Sequence, residues 1–241
     1  MAEELRKSFH EELDQMRAKV VRMSAFVSEA IPRVTDAFLL NDFEATQAII
    51  DGDDELDAWS IDLDNHCSLL LALQQPMAGD LRAILAVLTI NSELERTGDL
   101  VCNIARTSQR IYGTSFEPEL RGFVAKMSDE ARLLIRLATD SFVEQDGSLA
   151  LSLHDIDDRL DDLNREFFRS ILETHQQGNL DFEVAINLAL TARHYERIGD
   201  HAVNIGERVR YMLDGWTKEQ IGSYRATEQE ESPEPPAGEA K

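Results

Sequence analysis

Apolar residues recur at three- and four-residue spacing over long stretches of this chain, and the sparse glycines and prolines punctuate them. That rhythm predicts six long helices joined by short turns. The first spans about Glu3 to Leu40, with Pro32 as a place for a kink, and Asn41 or Asp42 is positioned to cap the next. The second spans Phe43 to Gln75, loosened at Gly52. Gln75-Pro76-Met77-Ala78-Gly79 reads as a turn, with Asp80 as the N-cap of a third helix running to about Tyr112. Glu117-Pro118 then opens a fourth, because proline suits a helix's first turn, and this helix runs to about Gln145. A fifth spans Leu149 to Gln177 and a sixth Asp181 to Leu213. In the fifth, Leu153, Ile156, Leu160, Leu163, Phe167 and Ile171 form one apolar stripe, which is core.

The pattern repeats. Glu93-Leu-Glu-Arg-Thr-Gly-Asp-Leu-Val-Cys-Asn-Ile-Ala105 returns as His194-Tyr-Glu-Arg-Ile-Gly-Asp-His-Ala-Val-Asn-Ile-Gly206, from 95 to 196 an offset of 101. Upstream, DDELD at Asp53 to Asp57 returns as DDRLD at Asp157 to Asp161, from 53 to 157 an offset of 104. The predicted fold is therefore all-α, a tandem duplication of a three-helix antiparallel bundle, with residues 1–113 and 114–213 as its two units. Residues 214–241 are expected to be an acidic, proline-rich disordered tail, plainest in TEQEESPEPPAGEAK from Thr227.

Composition narrows the function. Hydrophobic content of 43% supports a real core, while a formal net charge of −22 repels nucleic acid and anionic membrane surfaces. No stretch approaches the roughly 18 apolar residues of a spanning helix. The N-terminus carries no apolar signal region, so the expected location is cytoplasmic. Cys67 and Cys102 lack any disulfide or zinc spacing and read as buried thiols.

Candidate chemistry lies in carboxylates. Positions i and i+4 share a helix face, so Glu95 and Asp99 project together, as do Glu196 and Asp200, with Asn103 and Asn204 one turn further on. Asp53 with Asp57, and Asp157 with Asp161, form matching pairs on the preceding helix. Two like charges about 4 Å apart repel by roughly 4 kcal/mol at an effective dielectric of 20. Such clusters must splay into solvent, recruit Arg96 and Arg197, titrate upward, or bind a multivalent cation. Oxygen donors favour magnesium, manganese, calcium or iron. Gly98 and Gly199 cost helix stability, which a close-approach role would explain. His194 and His201 face Glu93 and Leu100 across the repeat and read as incidental. DDELD and DDRLD also match the DDxxD motif of helical isoprenoid synthases, but those motifs must face one cavity. A ferritin-like centre lacks its ExxH. A metal-free helical scaffold is the serious rival.

ERTGDLVCNI from Glu95 to Ile104 and ERIGDHAVNI from Glu196 to Ile205 resemble the PhoU family, phosphate-uptake regulators built of two three-helix bundles. LLLALQQPMAGDLRAIL from Leu69 to Leu85 resembles the family's linker between its second and third helices. The resemblance implies multinuclear metal clusters on Asp53, Asp57, Glu95 and Asp99 in one half and on Asp157, Asp161, Glu196 and Asp200 in the other. The ions are divalent or trivalent (Fe, Mn, Mg, Zn or Ca), their identity open. It further implies a non-catalytic negative regulator of high-affinity phosphate ABC transport and of phosphate-starvation signalling. Its expected partners are the transporter's ATPase subunit, a phosphate-sensing membrane histidine kinase, and a second copy of itself in a homodimer.

Overall fold

The structure, a computed structural model, describes residues 2–215, so the expected tail lies almost wholly outside the described residues. The described chain is helical: α1 (Ala2–Leu40), α2 (Phe43–Asp51), α3 (Asp53–Gln74), α4 (Gly79–Arg110), α5 (Pro118–Glu144), α6 (Gly147–Gln176) and α7 (Phe182–Asp214). Six rods are present, the second divided at Gly52 into α2 and α3. Gly52 donates its N–H to Ala48 O and Ile49 O, each at 3.2 Å. At the equivalent place α6 has Ile156 and continues unbroken, in line with glycine's poor helix propensity. Pro32, by contrast, does not interrupt α1.

The caps show the duplication directly. Asn41 and Gln145, equivalent residues, both adopt positive φ (52° and 54°) and close α1 and α5. The Asp42 N–H then reaches back to Ala37 O (2.9 Å) and the Asp146 N–H to Ser141 O (3.0 Å). Their carboxylates cap the next helices: Asp42 accepts from Ala45 N, and Asp146 accepts from Ser148 N and Leu149 N. Asp146 therefore starts α6 two residues before the expected Leu149. Asp80 is not an N-cap: α4 begins at Gly79 after Ala78, which has φ 49°, with no side-chain cap. The sharp turn at Met77-Ala78 starts the helix two residues earlier and puts Asp80 inside its first turn.

In the first unit α1 packs against α2, α3 and α4; in the second α5 packs against α6 and α7; α4 lies on α7 and α1 on α5 across the join. One contiguous apolar core runs through both units, with Met16, Ile31, Leu56 and Ile90 of one half and Leu134, Leu160, Phe167 and Ile198 of the other shielded from water. Each such side chain contributes about 1.5–3 kcal/mol by its burial. The α1–α5 crossing carries two equivalent hydroxyl pairs, Ser24 with Thr139 and Thr35 with Ser128, which lie at the same offset of 104 as the acidic motifs. The Tyr195 hydroxyl joins the second pair at 2.6 Å from Thr35 Oγ1, so α1, α5 and α7 meet at one satisfied buried polar point.

Candidate metal centre

Helical periodicity places the acidic motifs on the outer faces of two helix pairs, α3/α4 and α6/α7. The exposure pattern repeats at three of the four acidic positions. Asp99 and Asp200 are exposed, and Glu95, Glu196, Asp57 and Asp161 are half-buried; the copies part only at the first acid, where Asp53 is half-buried and Asp157 buried. Leu56 and Leu160, three residues after Asp53 and Asp157, anchor the other side of each turn in the core.

Electrostatics tie the four carboxylates of each face together. Burial, then the charges of Asp161, Asp200 and Glu196, push the Asp157 carboxyl up to about 7. Glu196 is raised by burial and Asp200, against the pull of Arg193, which pairs with its Oε1. In the first half Glu95 is raised by burial, Asp99 and Asp57, with Arg96 opposing. Asp53 is raised by burial, Asp57 and Asp99, but the polar Cys102 thiol beside it works the other way. Burial and Asp53 push that thiol up to about 12, so it stays protonated, and it donates to Ile49 O at 3.8 Å. Each acidic motif thus faces the ERxGD motif of its own half. DDELD and DDRLD do not oppose each other across a common cavity, as isoprenoid synthases require.

The two glycines explain how the first acid of each pair reaches so deep. A Cβ on Gly199 would run into Asp157 Oδ1 and come within 2.9 Å of Leu160 Cδ2; one on Gly98 would strike Leu56 Cδ2 and lie 3.6 Å from Asp53 Oδ1. Glycine lets α3 and α6 approach α4 and α7 and brings the carboxylates to the seam. Gly199→Ala is expected to cost about 1–3 kcal/mol of overpacking, partly offset by roughly 1 kcal/mol of helix propensity. Urea unfolding should therefore show a net loss, and a gain would refute the close-approach role.

The residues beside the motifs behave less simply. Arg96 reaches Glu93 Oε1 at 3.8 Å, and Arg193, rather than Arg197, engages Glu196. His201 is not incidental: its Nδ1 lies 2.5 Å from Glu93 Oε2, both side chains 9% exposed, where α4 meets α7. The Glu93 carboxyl accepts, so Nδ1 carries the proton. Asn204, expected on the acidic face, instead donates to Glu93 Oε2 at 3.3 Å. Asn103 stays near the first face and accepts from Arg106 at 3.0 Å. Burial alone would raise Glu93, but hydrogen bonds from His201 and Asn204 and the charges of His201 and Arg96 hold it below its ordinary value. The available signal was the repeat itself, since Glu93 and His201 are positions where its copies differ in charge.

Both cysteines are free and buried. A cavity of about 210 Å³ lies beside Asp53 and Cys102. Among the described residues no three His, Cys, Asp or Glu side chains are grouped closely enough to hold a metal ion between them; the carboxylates share a field without converging on one point. The fit to a hard cation lies elsewhere. The donors are oxygens, and Asp157 Oδ1 and Glu196 Oε2 are buried without a hydrogen-bond partner.

The PhoU domain family model matches residues 20–108 and 124–209, once in each half. The phosphate-specific transport system accessory protein PhoU homolog 1 of Mycobacterium tuberculosis (strain H37Rv) is 32% identical over 223 residues, 91% of this chain and 100% of that relative. The Aquifex aeolicus PhoU homolog is 35% identical over 206 residues, 85% of this chain and 92% of its own. The crystal structure of PhoU from Pseudomonas aeruginosa superposes with a TM-score of 0.81 at 27% identity, covering 86% of this chain and 100% of that one. PhoU from Streptococcus pneumoniae, at 22% identity and a TM-score of 0.80, bears on the fold alone; 86% of this chain and 98% of that one are covered.

Proposed function

The chain belongs to the PhoU family, and from that premise we propose that it is an accessory regulator of phosphate transport whose docking depends on cations held at its two carboxylate faces. It acts in the cytoplasm as a non-catalytic adaptor that restrains a high-affinity phosphate ABC transporter and phosphate-starvation signalling. Its partners are the transporter's ATPase subunit and the cytoplasmic portion of a histidine kinase, and it works as a homodimer. The observation that carries the ion-dependent part is Asp157 Oδ1, buried and unpartnered beside α7 within the field of Asp161, Asp200 and Glu196. No helix among the described residues is long and apolar enough to cross a membrane, so contact with the transporter is assigned to its ATPase.

A bound cation supplies the positive charge that four clustered carboxylates lack. The protein's own residues do the rest. Asp53 with Asp57 and Glu95 with Asp99 hold α3 against α4, and Asp157 with Asp161 and Glu196 with Asp200 hold α6 against α7. Without that charge, repulsion within each set favours side chains turned to water and a looser helix pair. A stiffened acidic face then presents a fixed charge pattern to a basic partner surface. Immobilised ATPase subunit is expected to bind the manganese-loaded protein at least about tenfold more tightly than a variant with all eight carboxylates changed to Asn or Gln. Equal binding by a folded variant would leave the metal-free scaffold as the reading that survives.

A further inference from the structure

We propose that the two carboxylate faces are unequal: α6/α7 is the tight cation site and α3/α4 the weak one. This rests on the ion-binding reading above and deepens it. Among the described residues, the buried side-chain oxygens without a hydrogen-bond partner include Asp157 Oδ1 and Glu196 Oε2 on the second face, and none of Asp53, Asp57, Glu95 or Asp99 on the first. Asp157 is only 9% exposed, and its Oδ1 occupies the space beside Gly199 that a Cβ would need.

The residues around the faces differ in the same sense. In the first half the Cys102 thiol lies beside Asp53 and favours its charged form, and the Arg106 guanidinium acts in the same sense from one turn further along α4. Their counterparts at the offset of 101 are Val203 and Glu207. A polar thiol and a cation in the first half are thus replaced by an apolar side chain and an anion at the equivalent positions of the second. An ion arriving at Asp53 meets the charge of Arg106 already acting there. At Asp157 the carboxyl has lost water on folding without gaining a donor, so the ion recovers more. One difference opposes this: Arg193 pairs with Glu196, and its counterpart is Ser92. Arg193 is about half exposed and engages Oε1 only, which leaves Oε2 bare; such exposed pairs contribute little.

The test uses the full chain, stripped with chelator and titrated with Mn²⁺, free ion being read by electron paramagnetic resonance. Two classes of site are expected, separated by about tenfold or more in affinity. Asp157→Asn with Glu196→Gln should remove the tight class, and Asp53→Asn with Glu95→Gln only the weak one. Two exchanges that leave every carboxylate of the faces in place make the test sharper. Val203→Cys with Glu207→Arg should weaken the tight class, and Cys102→Val with Arg106→Glu should strengthen the weak one. A single class of indistinguishable sites, or loss of the tight class with Asp53 and Glu95, overturns the inequality while leaving ion binding intact. No Mn²⁺ bound at either face overturns the inequality and the ion-dependent function together.

Discussion

Asp157→Asn is expected to make the ion-free protein more stable at pH 8, raising its thermal midpoint by several degrees, with the gain shrinking as the pH is lowered to 5. The carboxyl has an ordinary value of 3.8 and rises to about 7 in the folded protein, chiefly through burial and then through Asp161, Asp200 and Glu196. A raised carboxyl means that the folded state holds the proton more tightly than the unfolded chain does. Its contribution is therefore most favourable below pH 4 and is lost as the pH climbs through 7. The full loss is on the order of 4 kcal/mol, at about 1.4 kcal/mol for each tenfold change in proton affinity. Asn carries no charge to bury but leaves its own amide incompletely bonded, so a few kcal/mol is the expected net gain. For a chain of this size that corresponds to several degrees. Asp53→Asn should gain less, because the Cys102 thiol already offsets part of the penalty on Asp53. Melts in chelator between pH 5 and 8 decide the matter: parallel pH profiles for wild type and Asp157→Asn would refute the buried-charge account.

Such an acid can persist in a folded protein only where something else repays it, which links this prediction to function. Added Mn²⁺ is expected to stabilise wild type more than Asp157→Asn, by mass action on the folded state alone. The sign of the substitution thus reverses with ion loading, as a purely structural carboxylate would not do.

The features readable in the sequence were those that helical geometry encodes locally. The i, i+4 spacing put Glu95 beside Asp99 and Glu196 beside Asp200, and the repeat offset paired each with its acidic partner on the preceding helix. The glycines of ERTGD and ERIGD signalled close approach because a glycine in mid-helix is otherwise a plain cost, and Leu56 and Leu160 are what they approach. What stayed hidden was relational. Nothing local says which side of α4 meets α7, so Glu93, His201 and Asn204 read as parts of a solvent-facing motif rather than as a junction. Burial depth was hidden too: Asp53 and Asp157 read as equals although only Asp53 has a thiol beside it. Asp80 resembled a cap because Asp is a good one, but the turn at Ala78 had already committed the backbone.

The junction supplies the second large effect. Glu93→Leu and His201→Leu are each expected to destabilise the fold by about 3–5 kcal/mol, because each leaves one member of a buried pair without its counterpart. Together they should cost far less, since the apolar pair leaves no charge to satisfy where α4 packs on α7. Asn204 would then lose the Oε2 acceptor it uses at 3.3 Å, a residual penalty of about 1–3 kcal/mol that sets the floor for the double variant. Glu93 also fixes the sign of the acid response. Held below its ordinary 4.5, it stabilises the fold above that value and gives up the contribution as the pH falls through its lowered folded value. The double variant should accordingly lose one component of acid unfolding while keeping the rise in stability between pH 7 and 5 that Asp157 and the other raised carboxylates confer. Additive single and double losses in urea unfolding would show that Glu93 and His201 are not coupled. Strong coupling would identify the point at which two once-equivalent units became one asymmetric body, since the corresponding residues His194 and Leu100 have no means of forming the same bond.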